Sequence, residues 1–203
     1  MKKYFSLTIA LLGWFAVITQ YILMMEHRIA SIPETTIRFF SFFTILTNIL
    51  VAVYMTQLFI GFVSKTKNSA LPITYLTQLT VYITIVGFVY QVALRHIWNP
   101  QGLDRIVDEL LHTLIPLAII IYWYLDESKK YDSYKNIPKW LIYPVCYLLF
   151  ILIRGHFSVY YPYPFINVNQ IGIQLAGINA ALLILFFIMI SCLFIFLGKR
   201  IRK

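Results

Sequence analysis

A histidine, a carboxylate and a pair of threonines recur in this sequence at spacings that suit nucleophilic chemistry. The stretch DELLHT, residues 108–113, sets Asp108 four residues before His112. On a helix that is one turn along a single face. A carboxylate there accepts the imidazole N–H, fixes the tautomer and raises the basicity of the other ring nitrogen. Pro116 follows four residues later and has no N–H for the His112 carbonyl, which predicts a helix opened beside the histidine. In a membrane such a freed carbonyl needs a protein or water partner.

The stretch FFTILTNIL, residues 42–50, offers the hydroxyls. Ser41, Thr44 and Asn48 step by three and four along one helical face, with Thr47 close beside it. A threonine hydroxyl is a weak nucleophile without a base. With His112 as base it would attack an ester carbonyl while Asp108 steadies the imidazolium. Thr44 is the expected nucleophile and Thr47 the alternative. Either Asp108 or Glu109 is placed to orient His112. Asn48, Gln91 and Arg95 are candidate oxyanion donors, and Arg154 and His156 are further pocket candidates.

The elements that carry these residues belong to lipid. Of 203 residues 60% are hydrophobic and 12% charged, and mean hydropathy is +0.76; a soluble domain carries about 25% charged residues. Six apolar runs of spanning length fall at about 5–25, 38–62, 73–97, 106–125, 138–154 and 173–197. The expected fold is an all-α integral membrane protein, one bundle of six transmembrane helices over residues 1–203. The first run is longer than a signal-peptide core, carries Trp14, Gln20 and Tyr21, and lacks a clear small-residue cleavage site, so it reads as a retained span.

Charge fixes the expected orientation. Twelve of the 17 Lys and Arg residues lie beside the two termini and the connections near 65–67 and 129–139, and five lie on the other side. The positive-inside rule then makes both termini cytoplasmic in a multi-pass protein of the cell membrane. The same layout accounts for the net charge of +9 through anionic headgroups, and no motif calls for a nucleic acid. Cys146 and Cys192 fall mid-span, isolated, and read as small core-filling residues.

With that orientation the polar residues become one-sided. Thr44 and His112 each lie six residues past the outer end of their runs, about 9 Å deep at the helical rise. Gln91, Arg95, Asp108, Glu109, Arg154, His156, Gln174 and Asn179 gather at the same end, as do all four histidines. The inner halves carry nothing comparable. The many aromatics (16 Phe, 15 Tyr, 4 Trp) read as lipid-facing, packing or interfacial residues.

A hydroxyl, a histidine and a carboxylate at one depth suit acyl transfer on a lipid ester. FFTILTNIL (42–50), ELLHTLIP (109–116) and IRGHFSVYYPYPF (153–165) resemble the androgen-induced and androgen-dependent multi-span intramembrane threonine lipid hydrolases. These split fatty acid esters of hydroxy fatty acids, and the chain looks closer still to their bacterial branch. The resemblance follows span order over most of the chain. It implies a threonine nucleophile at Thr44 and a histidine base at His112, with the loop match at Arg154, Gly155, Tyr161 and Pro162. TILTN has one more residue before Asn48 than the family pattern, which keeps Thr47 as the alternative. A lipid substrate is the implied partner, no cofactor is implied, and nothing in the sequence specifies an oligomeric state.

Two other readings compete. His27, His96, His112 and His156 with Asp104, Asp108 and Glu109 would supply ligands for a zinc-dependent lipid hydrolase, although no HxxxH or HExxH occurs, and no metal is expected. A non-enzymatic lipid-binding protein or small transporter would use the polar end as a headgroup pocket or vestibule. The apolar inner half, without a through-going polar path, speaks against transport.

Overall fold

Among the described residues six helices are long and apolar enough to cross a membrane: Lys2–Glu26, Phe43–Ser64, Tyr75–Leu94, Gly102–Leu125, Tyr134–Ser158 and Val168–Arg200. The computed structural model describes residues 2–64, 74–126 and 132–201, and among these there is no strand. In chain order the helices are α1 (Lys2–Glu26), α2 (Ile32–Phe40), α3 (Phe43–Ser64), α4 (Thr74–Val89), α5 (Gly102–Glu109), α6 (Ile115–Leu125), α7 (Ile137–Ser158) and α8 (Val168–Arg200). A π turn, Tyr90–Leu94, extends α4, and a second one, Leu110–Leu114, joins α5 to α6.

Lys2 pairs with Asp126 at 3.2 Å, and the Lys199 ammonium sits 4.4 Å from the Tyr134 ring centroid. The start of α1 and the end of α8 therefore lie at the same end of the bundle as the residues flanking the α6–α7 connection. The opposite end is built from α2, the π turns, α5 and the segment after α7.

Small residues hold α1 against α3. Ala10, Gly13 and Ala16 are buried, and a Cβ on Gly13 would lie 3.0 Å from the Ala52 Cβ. Lipid tails are as apolar as leucine, so close backbone approach and side-chain hydrogen bonds must supply the association. Trp14 donates to the Thr56 hydroxyl at 3.1 Å. Val81, Ile83, Ile115 and Ile119 fill the interior, while Leu182, Leu185 and Met189 of α8 face outward. Pro144 inside α7 removes the helical donor to the Trp140 carbonyl, and the Tyr82 hydroxyl takes its place.

The second apolar run differs from its expected course. It is two helices, α2 and α3, broken at Ser41–Phe42, so Ser41 does not share a helical face with Thr44. Tyr147 holds the break, donating to the Ser41 carbonyl at 2.7 Å and accepting from the Phe43 amide at 3.2 Å. One side chain thus satisfies an orphaned acceptor and an orphaned donor. The fifth span is longer than 138–154, because the helix continues to Ser158. Cys146 is exposed on the helix surface, not in the core, and both cysteines are free.

Candidate functional site

The break at Ser41–Phe42 makes Thr44 the second residue of α3 rather than a residue six positions into a span. First-turn amides of a helix have no helical acceptor. The Thr44 amide donates to the Tyr163 hydroxyl at 3.4 Å. The next amide, that of Ile45, donates no hydrogen bond among the described residues. The Thr44 side chain also lies against the Tyr163 hydroxyl, whose ionisation burial pushes up while both Thr44 contacts oppose the shift. Thr47 is fully buried and shares a 3.2 Å hydrogen bond with the Tyr143 hydroxyl.

His112 sits in the π turn between α5 and α6. Its Nδ1 faces two acceptors, the Asp108 carboxylate oxygen at 3.1 Å and the Asp108 carbonyl at 2.9 Å. Neutral imidazole therefore keeps its proton on Nδ1 and leaves the Nε2 lone pair free. The second Asp108 carboxylate oxygen accepts from the Tyr90 hydroxyl. The Tyr90 ring stacks on the imidazole, centroids 4.1 Å apart and planes at 11°. Gly87 allows this approach: a Cβ there would lie 3.1 Å from the His112 carbonyl oxygen and 3.2 Å from the Pro116 Cβ. The carbonyl that Pro116 deprives of a donor thus faces the backbone of α4.

Thr44, Asp108 and His112 line one cavity of about 470 Å³, together with Tyr90, Arg38 and Tyr163. That volume lies within the range of small-molecule sites. No hydrogen bond joins Thr44 to His112 among the described residues. The space between them is the cavity itself.

The other sequence candidates lie elsewhere. Asn48 spends its amide nitrogen on the Thr44 and Leu111 carbonyls, at 2.9 and 3.3 Å, and ties α3 to the π turn. Gln91 donates to Thr113, and Arg95 joins Gln91 and Glu109. Glu109 also accepts from Thr113 at 2.7 Å, so Asp108 and not Glu109 faces the histidine. Arg154 reaches Glu34 at 2.8 Å, and His156 is exposed against Phe157. None of Asn48, Gln91, Arg95, Arg154 or His156 lines the cavity.

Arg154 still acts on the site indirectly. Glu34 accepts from Arg38 and Arg154, and the Arg38 hydrogen bond holds its carboxyl below the usual range against partial burial. Both guanidiniums sit over the Tyr160 ring, at 4.4 and 5.0 Å. The cluster fastens α2 to α7 and to the segment whose Pro162, Tyr163 and Pro164 wall the cavity. Gly155 serves the same segment, since the Tyr161 ring occupies the place a Cβ would take.

Sequence reasoning missed Tyr90, Tyr147 and Tyr163 by treating the aromatics as one class. Their hydroxyls carry the hydrogen bonds that shape the site. Of the metal-ligand set, only His27 with Asp104, at 4.0 Å, and His112 with Asp108 approach one another, and no group of three possible ligands gathers among the described residues. No protein family, characterised protein or solved structure matches the chain.

Proposed function

We propose that the protein is an intramembrane hydrolase of lipid esters, with Thr44 as nucleophile, His112 as general base and Asp108 as its positioning carboxylate. The observation that carries this reading is the single cavity walled by Thr44 and by a His112 whose Nδ1 is committed to Asp108. In the proposed reaction the Thr44 Oγ bonds to the ester carbonyl carbon while His112 Nε2 takes the hydroxyl proton. The proton passes to the leaving oxygen as its bond to carbon breaks. Water then attacks the acyl-threonine, giving its proton to His112, and Thr44 leaves with that proton. The Ile45 amide, at the positive end of α3 and beside the cavity, is the donor for the transient oxyanion; the donor nitrogens of Asn48, Gln91 and Arg95 are engaged elsewhere.

The chain is proposed to lie in the cell membrane with both termini cytoplasmic, from the positive-inside count, which sets the cavity on the extracytoplasmic side. The resemblance to the multi-span threonine lipid hydrolases, through Thr44, His112 and the Arg154–Pro162 segment, is the second support.

The test is labelling of purified protein in detergent with a fluorophosphonate, followed by mapping of the modified residue. Label is expected on Thr44, and Thr44→Ala or His112→Ala should abolish labelling and ester turnover in folded protein. Thr47→Val should retain both, because that hydroxyl is buried against Tyr143. Full activity in Thr44→Ala and His112→Ala would sink the site. Lipid binding without any label would favour a non-enzymatic binding protein using the same cavity.

A further inference from the structure

Thr44 walls two cavities. Behind the large one lies a second, of about 50 Å³, between α4, α7 and α8, lined by Val86, Leu148, Leu183 and Phe187 among others. Thr44, Leu94 and Tyr163 belong to both walls, while His112 belongs only to the larger cavity. The tyrosine hydroxyls beside the small cavity are engaged by backbone: Tyr147 by Ser41 and Phe43, Tyr163 by the Thr44 amide. Except at Thr44, what remains to meet a ligand is carbon.

The position of the base gives the two cavities different roles. A base that deprotonates the nucleophile must return that proton to the leaving oxygen. The leaving alcohol therefore lies on the His112 side, in the large cavity, and the acyl chain departs from the carbonyl on the other side of Thr44. Resting on the hydrolase reading above, we infer that the ester binds across Thr44 with the long lipid chain on the alcohol and, unlike the fatty acid esters that the resembled hydrolases split, a short acyl arm in the small apolar cavity. One ordered water needs roughly 10–15 Å³ on this measure, so about 50 Å³ admits three to five heavy atoms. That is an acetyl to butyryl group. The large cavity, with about 470 Å³ and two arginines, Arg28 and Arg38, in its wall, takes the remainder.

Two isomeric esters test this without changing composition or hydrophobicity: octyl butyrate and butyl octanoate, presented in detergent micelles. Wild-type kcat/KM should favour octyl butyrate by about tenfold or more, since each methylene that fits or fails to fit an apolar pocket is worth roughly 10–200-fold. Leu183, only partly buried at the edge of the small cavity, is the residue to vary. Leu183→Ala should move the ratio toward butyl octanoate by about tenfold, and Leu183→Trp, by filling the small cavity, should lower kcat/KM for octyl butyrate relative to octyl acetate, assayed beside it. Equal or reversed preference in the wild type, or ratios unmoved by both variants, overturns the assignment and leaves the hydrolase reading standing. No turnover of either ester by the wild type overturns the hydrolase reading itself, and the assignment with it.

Discussion

Asp108→Asn isolates the contribution of the carboxylate from that of the backbone beside it. In the folded protein the Asp108 carboxylate stands 3.1 Å from His112 Nδ1, and the Asp108 carbonyl stands 2.9 Å from the same atom. The variant keeps the carbonyl, so the Nδ1–H tautomer survives. It loses only the charge opposite the imidazolium. At 3.1 Å and an effective dielectric of about 20, that attraction is about 5 kcal/mol. Each tenfold in rate is about 1.4 kcal/mol, so kcat for octyl butyrate should fall by roughly 10³–10⁴-fold with KM little changed, because the charge develops only in the transition state. Tyr90→Phe removes a donor to the carboxylate and keeps the stacked ring. A hydrogen bond to a charged group is worth about 1.5–3 kcal/mol, which sets an expected loss of about 10–100-fold. Initial rates in detergent micelles, with thermal unfolding as the folding control, separate the two. Retention of kcat within about tenfold in Asp108→Asn, beside an inactive His112→Ala, would refute the positioning role and leave the carbonyl as sole orienter.

Two further substitutions test the scaffold. Gly155→Ala should cost about 1–3 kcal/mol through overpacking against Tyr161, and that cost should largely vanish in a Tyr161→Ala background; equal penalties in both backgrounds would show the ring is not the obstacle. Asp132, 3% exposed, has its carboxyl pushed up by burial to about 6 from 3.8. The folded state thus holds that proton more tightly than the unfolded chain. Stability should decline as pH rises from about 4 through about 6, by about 3 kcal/mol in total, and stay lower above. Asp132→Asn should remove that decline, and unfolding midpoints that track the wild type across this range would contradict it.

Hydropathy made the helical, membrane-spanning class legible because each run is long and its flanks carry Lys, Asn or Pro. The break at Ser41–Phe42 was hidden for the opposite reason: both flanks are apolar, neither residue is Gly or Pro, and the side chain that serves its backbone groups, Tyr147, lies over a hundred positions away. The pairing of Asp108 with His112 was readable, since four residues make one turn whether the helix is regular or slightly widened. The choice between Asp108 and Glu109 was not, because it depends on Arg95 and Thr113 claiming Glu109. Asn48, Gln91 and Arg95 share the end of the bundle with the cavity, but sharing a depth does not set the direction in which a side chain points. The resemblance singled out Gly155 and Tyr161 without a reason, and the ring packed on the glycine supplies it.

The distribution of irregular backbone bears on whether His112 merely bridges helices. The α2–α3 break, both π turns, Gly102 at φ 58°, Val159 at φ 59° and Gly172 at φ 76° all fall at the end of the bundle that holds the cavity. A β-branched residue in the left-handed region costs on the order of 1–2 kcal/mol, and irregular backbone at membrane depth persists only where protein or a water-filled cavity serves its polar groups. A bridging histidine needs none of this, because regular helices present side chains to one another at any depth. Here the two π turns bring Tyr90 and His112 into a stack. The break turns the first amides of α3 toward Tyr147 and Tyr163. Val159 ends α7, its amide on the Gly155 carbonyl at 3.0 Å, and frees the chain to lay Pro162–Pro164 along the cavity wall. The break, the two π turns and the turn at Val159 each position a group around the same space, and that shared destination is the argument for a site over a strut.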